Sequence, residues 1–286
     1  MFPNLNTPNI GVKADFAGTL ALAAKHGFTG IDFSISEAQQ IVDAHGIDHI
    51  FRQLEDKGLR LGSWGMPVDF RNDEDKFEQG LAVLDAQAAL AQQLGCLRCA
   101  TWIMPCSDTL PFAENYKIHR NRLRAIAEIL AKHEIRFGLE FVGPKTLRDT
   151  RKYPFLHSID GMLALCADID TGNMGLLVDL YHVYTSHATV DDVRKLSAAD
   201  VVTVHVNDAV AGLPIDELLD QVRALPAETG VTDIGGFLNA LNDIGYDGPV
   251  TSEPFSQRVR DLPADEAVAE TAAAMRKSWQ IADLPW

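Results

Sequence analysis

The feature that most constrains this chain is a rhythm: a short apolar run, then a longer amphipathic segment, repeated from one end to the other. Eight runs read as strands: Asn9–Gly11, Gly30–Ser34, Leu59–Trp64, Cys96–Met104, Ile135–Val142, Gly175–Tyr181, Val201–Val206 and Pro249–Glu253. Between them lie the helical patterns Ala14–His26, Glu37–Lys57, Asp73–Leu94, Tyr116–His133, Ser158–Ala167, Val190–Ala199 and Ile234–Ile244, and Asp265–Ile281 closes the chain. Gly follows His26, Lys57, Leu94 and Ile244, where a helix must turn left-handed before the next strand. Asn72 and Ser158 are natural N-caps. Strands rich in Val, Ile and Leu, joined by helices, imply a parallel sheet covered on both faces. Eight such units of ~36 residues fit a closed (β/α)₈ TIM barrel. An open doubly wound sheet would want a Gly-rich turn after its first strand, and Gly11-Val-Lys-Ala-Asp-Phe-Ala-Gly18 is not one. With no linker, repeat or low-complexity segment, residues 1–286 read as one α/β domain.

Charge and cysteine usage narrow the function. Lys+Arg 25 against Asp+Glu 40 leaves a net charge of −15. Nucleic-acid affinity comes mainly from neutralising phosphates, so such a surface argues against that class of partner. Cys96 and Cys99 have the spacing of a zinc pair, but they fall in one predicted strand and would point to opposite faces. All four cysteines (96, 99, 106 and 166) therefore read as buried free thiols. The N-terminus lacks a basic start and an apolar run, and no stretch approaches the length of a membrane span. A cytoplasmic protein without membrane contact is expected.

The second half of the chain does something specific at its strand ends, where barrel enzymes place their chemistry. The fifth strand ends in Leu139-Glu140-Phe141 and the sixth in Val178-Asp179-Leu-Tyr-His182. The seventh carries Val204-His205-Val-Asn-Asp208, and the eighth ends in Ser252-Glu253-Pro254. Four consecutive strands thus each deliver one ionisable residue inside an apolar run. Solvation at the rim would explain any one of them. Gathering three carboxylates is costly unless something positive sits among them, and no Arg or Lys lies in these strand ends. One divalent ion (Mn²⁺, Mg²⁺, Co²⁺ or Zn²⁺) would balance the set, with one nitrogen and three oxygens as donors.

Glu140, Asp179-x-x-His182, His205 and Glu253, in this order, resemble the pattern of the xylose-isomerase-like (sugar phosphate isomerase/epimerase) TIM barrels. The likeness spans nearly the whole chain, including Ala24-Lys-His-Gly-Phe-Thr-Gly-Ile-Asp32 and Leu241-Asn-Asp-Ile-Gly-Tyr-Asp-Gly248. The resemblance implies that Glu140, Asp179, His205 and Glu253 are metal ligands and that Glu140 and Glu253 are also the catalytic acid/base pair. It implies that His182 meets a substrate oxygen, and that the enzyme isomerises or epimerises a sugar-like hydroxy-ketone through an enediolate. It also suggests dimers or tetramers. Metal-dependent dehydration of an inosose or of 3-dehydroshikimate starts with the same proton abstraction and is the alternative. A non-catalytic sugar-binding barrel would keep the fold without the acid/base pair. Two departures stand out: no arginine follows His205 within His205-Val-Asn-Asp-Ala-Val-Ala-Gly212, and the family's Pro-Gly-x-Gly turn appears as Pro226-Ala-Glu-Thr-Gly230. The strand-end histidines of endonuclease IV are missing beside Trp64 and Trp102, which argues against DNA repair.

Trp64, Trp102, Phe141, Tyr181 and Phe255 fall at strand ends around the proposed metal, where aromatic faces suit sugar-ring C–H groups. Trp64, Trp102 and Lys145 are assigned with His182 to substrate binding. The segment Gly143–Tyr153 carries Lys145, Arg148, Arg151 and Lys152 and reads either as a lid gripping an anionic group or as solvated surface. Asp32 ends the second strand as a support or a rim acid. The remaining histidines read as surface or capping residues.

Overall fold

The computed structural model describes residues 1–71 and 73–286. In chain order its strands are β1 (Phe2–Leu5), β2 (Gly30–Phe33), β3 (Arg60–Gly65), β4 (Arg98–Ile103), β5 (Cys106–Ser107), β6 (Arg136–Phe141), β7 (Tyr153–Pro154), β8 (Met174–Asp179), β9 (Val201–Val206) and β10 (Pro249–Ser252). The helices are α1 (Phe16–His26), α2 (Ile35–His45), α3 (Ile47–Lys57), α4 (Glu74–Gln93), α5 (Phe112–Lys132) and α6 (Lys145–Arg148). They continue as α7 (Ile159–Ile169), α8 (Leu180–Thr185), α9 (Val190–Arg194), α10 (Ile234–Asp243), α11 (Gln257–Arg260) and α12 (Ala264–Ile281). Eight strands close into a parallel barrel in the order β1-β10-β9-β8-β6-β4-β3-β2, while β5 and β7 form a separate antiparallel pair. The (β/α)₈ barrel expected from the sequence is the fold observed.

Side-chain alternation along each strand separates core from site. In β6, Phe137, Leu139 and Phe141 are fully buried members of the apolar core, while Glu140 lines the central cavity. In β9, Val202, Val204 and Val206 are fully buried, and Thr203 and His205 line that cavity. The register sets Asp179 beside His205 and Thr251 on its other side, with Glu253 just past the end of β10. The parallel pairing therefore brings four strand ends to one mouth.

The helix boundaries follow local chemistry. Asp15, Ser34, Asp73, Ser158 and Asp233 each accept a backbone N–H of the first turn of the helix they precede. The glycines after His26, Lys57, Leu94 and Ile244 all have φ between 63° and 78°. The expected cap Asn72 lies outside the described residues, and Asp73 caps α4.

Three expectations need correction. The first strand is Phe2–Leu5, whereas Pro8–Ile10 is a single 3₁₀ turn ended by Gly11 at φ 78°. Pro3 lacks an N–H, yet in β1 its carbonyl need only accept from Thr29 N at 3.1 Å, so the proline is tolerated there. The segment Glu37–Lys57 is two helices, because Gly46 adopts φ 78° and ψ 160°, a conformation no helix contains. The helix from Val190 stops at Arg194, and a short 3₁₀ turn at Ala198–Asp200 leads into β9.

All four cysteines are free and buried, and burial pushes the Cys96 thiol up to about 12, consistent with inert core residues. Among the described residues, no helix is long and apolar enough to cross a membrane.

Candidate functional site

The barrel closes Glu140, Asp179, His205 and Glu253 into one cluster whose donor atoms all lie within 4.8 Å of one another. His205 Nδ1 stands 3.7 Å from Glu140 Oε1, 3.9 Å from Asp179 Oδ2 and 3.5 Å from Glu253 Oε2. Glu140 Oε1 and His205 Nδ1 are buried without a hydrogen-bond partner. Buried polar atoms seldom go unpaired, so two facing orphans of this kind mark a place where something else belongs. A divalent ion bonds oxygen and nitrogen donors at ~2.0–2.2 Å, and donors spaced like these surround such an ion. The cluster could thus hold a divalent metal.

Electrostatics point the same way. Burial pushes the Glu140 carboxyl up to about 7, against the pull of His205 and with help from Glu253 and Asp179. Burial alone would lower the His205 imidazole, but Glu253 and Glu140 outweigh it and hold its pKa well above the usual histidine value. Asp179 also resists burial: Arg223 first, then His182 and His205, hold its carboxyl well below the usual range. The metal-free cluster therefore retains protons on Glu140 and His205 that an incoming dication displaces.

The sequence reading missed Arg223. It lies in the segment joining β9 to α10, far beyond the strand ends, and its side chain is 1% exposed. Nη1 donates to Asp179 Oδ2 at 2.8 Å and to Glu253 Oε2 at 3.1 Å, while Nη2 donates to Asp220 Oδ1 at 3.0 Å. The rings of Tyr181 and Phe255 flank the guanidinium, each centroid 4.6 Å away. A positive group does sit among the carboxylates, brought there by the fold. The signal available in sequence was one arginine embedded in Leu218-Leu-Asp-Gln-Val-Arg-Ala-Leu225 just before the turn at Pro226.

Two more residues complete this surround. Asn207 Nδ2 donates to Asp179 Oδ1 at 3.0 Å, and Asp208 is a fully buried clamp. Its carboxylate accepts from Thr229 N at 3.0 Å, Gly230 N at 2.7 Å and Thr232 N at 2.9 Å. The Pro226–Gly230 turn is therefore tied directly to the end of β9.

His182 lies behind the cluster, 2% exposed. Gly143 N donates to its Nδ1 at 3.3 Å, and its Nε2 stands 3.8 Å from Glu140 Oε1. Burial keeps its pKa below the usual value, with Asp179 opposing, so the ring stays neutral.

A cavity of about 350 Å³ opens above the cluster, with Glu140, His205 and Glu253 in its floor and both Trp64 and Trp102 in its wall. That size lies at the small end for ligand sites, ~300–1,000 Å³. Trp64 is buried, whereas Trp102 is 41% exposed and stacks under the Arg71 guanidinium at 4.3 Å. Across the barrel, Asp32 accepts from Asn4 Nδ2 at 2.8 Å, Asn6 Nδ2 at 3.2 Å and Ser63 Oγ at 2.7 Å.

Other expected contacts do not converge here. Lys145, on α6, pairs with Asp216 at 3.3 Å, stays 47% exposed and does not line the cavity. Arg148 donates to the Gly143 carbonyl at 3.0 Å, and Arg151 faces Asp108 at 3.7 Å. The basic segment is thus spent on the protein itself because α6 and β7 carry it away from the mouth. Phe141 faces the core from the opposite side of β6, and Tyr181 and Phe255 belong to Arg223.

A family model described as Xylose isomerase-like TIM barrel matches residues 20–278. An inosose isomerase of Bacillus velezensis is 24% identical over 266 residues, covering 91% of this chain and 89% of that protein. The structure of a xylose isomerase domain protein from Alicyclobacillus acidocaldarius superposes with a TM-score of 0.88 at 28% identity, covering 99% of each chain. The IolI protein, whose structure holds a zinc atom, gives 0.78 at 19% identity, covering 99% of this chain and 98% of that one, a likeness of fold.

Proposed function

The chain belongs to the Xylose isomerase-like TIM barrel family, and from that premise we propose that it is a divalent-metal-dependent isomerase or epimerase of a sugar-like hydroxy-ketone. The observation that carries this reading is the pair Glu140 and Glu253, which both line the cavity from either flank of His205. The similarity to an inosose isomerase supports a sugar- or polyol-like substrate.

Glu140, Asp179, His205 and Glu253 would hold the ion. A divalent ion there supplies Lewis-acid polarisation of a carbonyl, which acidifies the neighbouring C–H. The chain does the rest. One of the two glutamates removes that proton, leaving an enediolate, and the other returns a proton to the opposite face for epimerisation; a carbonyl shift needs only one face. Arg223 takes one oxygen each of Asp179 and Glu253, so each carboxylate's orientation is fixed before substrate arrives. His182, neutral and anchored on Gly143 N, is the proposed contact to a substrate oxygen. The walls of Trp64 and Trp102 exclude water and offer ring faces to C–H surfaces.

Deuterium wash-in from D₂O tests the reading. Metal-loaded protein given a ketose or inosose should exchange the proton beside the carbonyl, and Glu253→Gln should cut that rate at least ~100-fold while keeping the fold. Unchanged exchange in the variant would remove Glu253 from the chemistry. Loss of water in place of exchange, seen by NMR, would favour the dehydratase.

A further inference from the structure

The cavity wall is acidic and holds no cation. Asp32, Glu37, Glu140 and Glu253 all line it, and among the described residues neither Lys nor Arg does. The charge on Asp32 is met by the amides of Asn4 and Asn6 and by Ser63, all neutral groups. Glu37 Oε1 accepts Phe16 N at 2.7 Å. The nearest basic side chains are engaged elsewhere: Arg223 on Asp179 and Glu253 beneath the floor, and Arg71 at the rim, donating to Thr101 Oγ1 at 3.1 Å.

The same wall carries two neutral polar atoms that are buried and unpartnered, Trp64 Nε1 and Thr203 Oγ1. Each residue is 1% exposed. A buried indole N–H and a buried hydroxyl without partners leave hydrogen-bonding capacity that a ligand can fill. A substrate hydroxyl suits both kinds of wall group, because it donates to a carboxylate and accepts from the indole. A phosphate or carboxylate can only accept at neutral pH, and it would enter this acidic space with no counter-charge.

We propose that the cavity selects an uncharged polyhydroxy-ketone and rejects phosphorylated or carboxylated counterparts. The inference rests on the isomerase reading for the placement of the keto group at the ion, and it names the substrate class of that site.

The test compares paired compounds on the metal-loaded protein: a free ketose against its terminal phosphate, and an inosose against 3-dehydroshikimate. Wash-in per unit kcat/KM should favour the neutral member at least ~100-fold. Equal or faster wash-in from the anionic member overturns the inference and leaves the proton-transfer reading standing. If no ketone exchanges, that reading fails, and calorimetry with myo-inositol and an inositol monophosphate decides this one. Tighter binding of the neutral polyol sustains it; tighter binding of the phosphate, or no binding of the polyol, overturns it. Glu37→Gln keeps an acceptor for Phe16 N while removing a wall charge, so it should narrow the neutral-to-anionic ratio at least ~3-fold. An unchanged ratio would show that wall charge does not select.

Discussion

Replacing Arg223 with Met removes the one cation that the chain supplies to its own carboxylate cluster. Asp179, with no exposed surface, would lose its 2.8 Å partner, and Glu253 its 3.1 Å partner. Breaking a buried pair by deleting one member costs about 3–5 kcal/mol, since the remaining charge is left uncompensated. For a chain approaching this length each kcal/mol moves Tm by ~2–4 °C, so the metal-free variant should melt roughly 6–20 °C below the parent. A divalent ion replaces the lost charge, so the metal-induced rise in Tm should be larger in Arg223→Met than in the parent. Arg223→Lys keeps the charge but cannot span Asp179, Glu253 and Asp220 together, and it should fall between the two. Scanning calorimetry with chelator and with saturating Mn²⁺ or Zn²⁺ reads all three. A metal-free Arg223→Met that melts within ~2 °C of the parent, or gains no more than it from metal, would refute the assignment of Arg223 as the resident counter-charge.

Metal affinity should rise with pH, because Glu140, pushed up to about 7, and His205, held well above its usual value, are proton-bound in the metal-free cluster. Affinity should climb as pH rises through 7, with proton release on binding, and calorimetry in buffers of different ionisation enthalpy would expose a flat profile. His205→Ala should lower metal affinity at least ~100-fold without unfolding the barrel, and full occupancy by elemental analysis would exclude His205 as a ligand. Asp208→Ala strips the buried clamp from Thr229, Gly230 and Thr232, and should cost at least ~3 kcal/mol in denaturant unfolding. A variant within ~0.5 kcal/mol of the parent would show that the turn holds itself.

What was legible in the sequence is what burial forces to be legible. Glu140, Asp179, His205 and Glu253 stood out because each interrupts an apolar strand, where an ionisable group needs a reason to be. The barrel followed from the repeated alternation, whose period survives errors in any single element. The first strand was hidden because four residues containing a proline carry almost no pattern, and only its neighbours β2 and β10 make it a strand. Arg223 was hidden for a different reason. Its place is set by how residues 207–233 fold back across the mouth, and no period or spacing encodes that path. Lys145 was misjudged by the converse assumption, that nearness to Glu140 in sequence means nearness in space; the α6 turn directs it to Asp216 instead.

The clamp at Asp208 divides labour within the molecule. Strand geometry dictates where an ion would rest, whereas a tethered excursion from the barrel dictates how much charge that ion meets on arrival. Grafting a different excursion between Asn207 and Asp233 would retune the grip on the ion and leave the eight staves untouched, so the fold carries a dial separate from its frame.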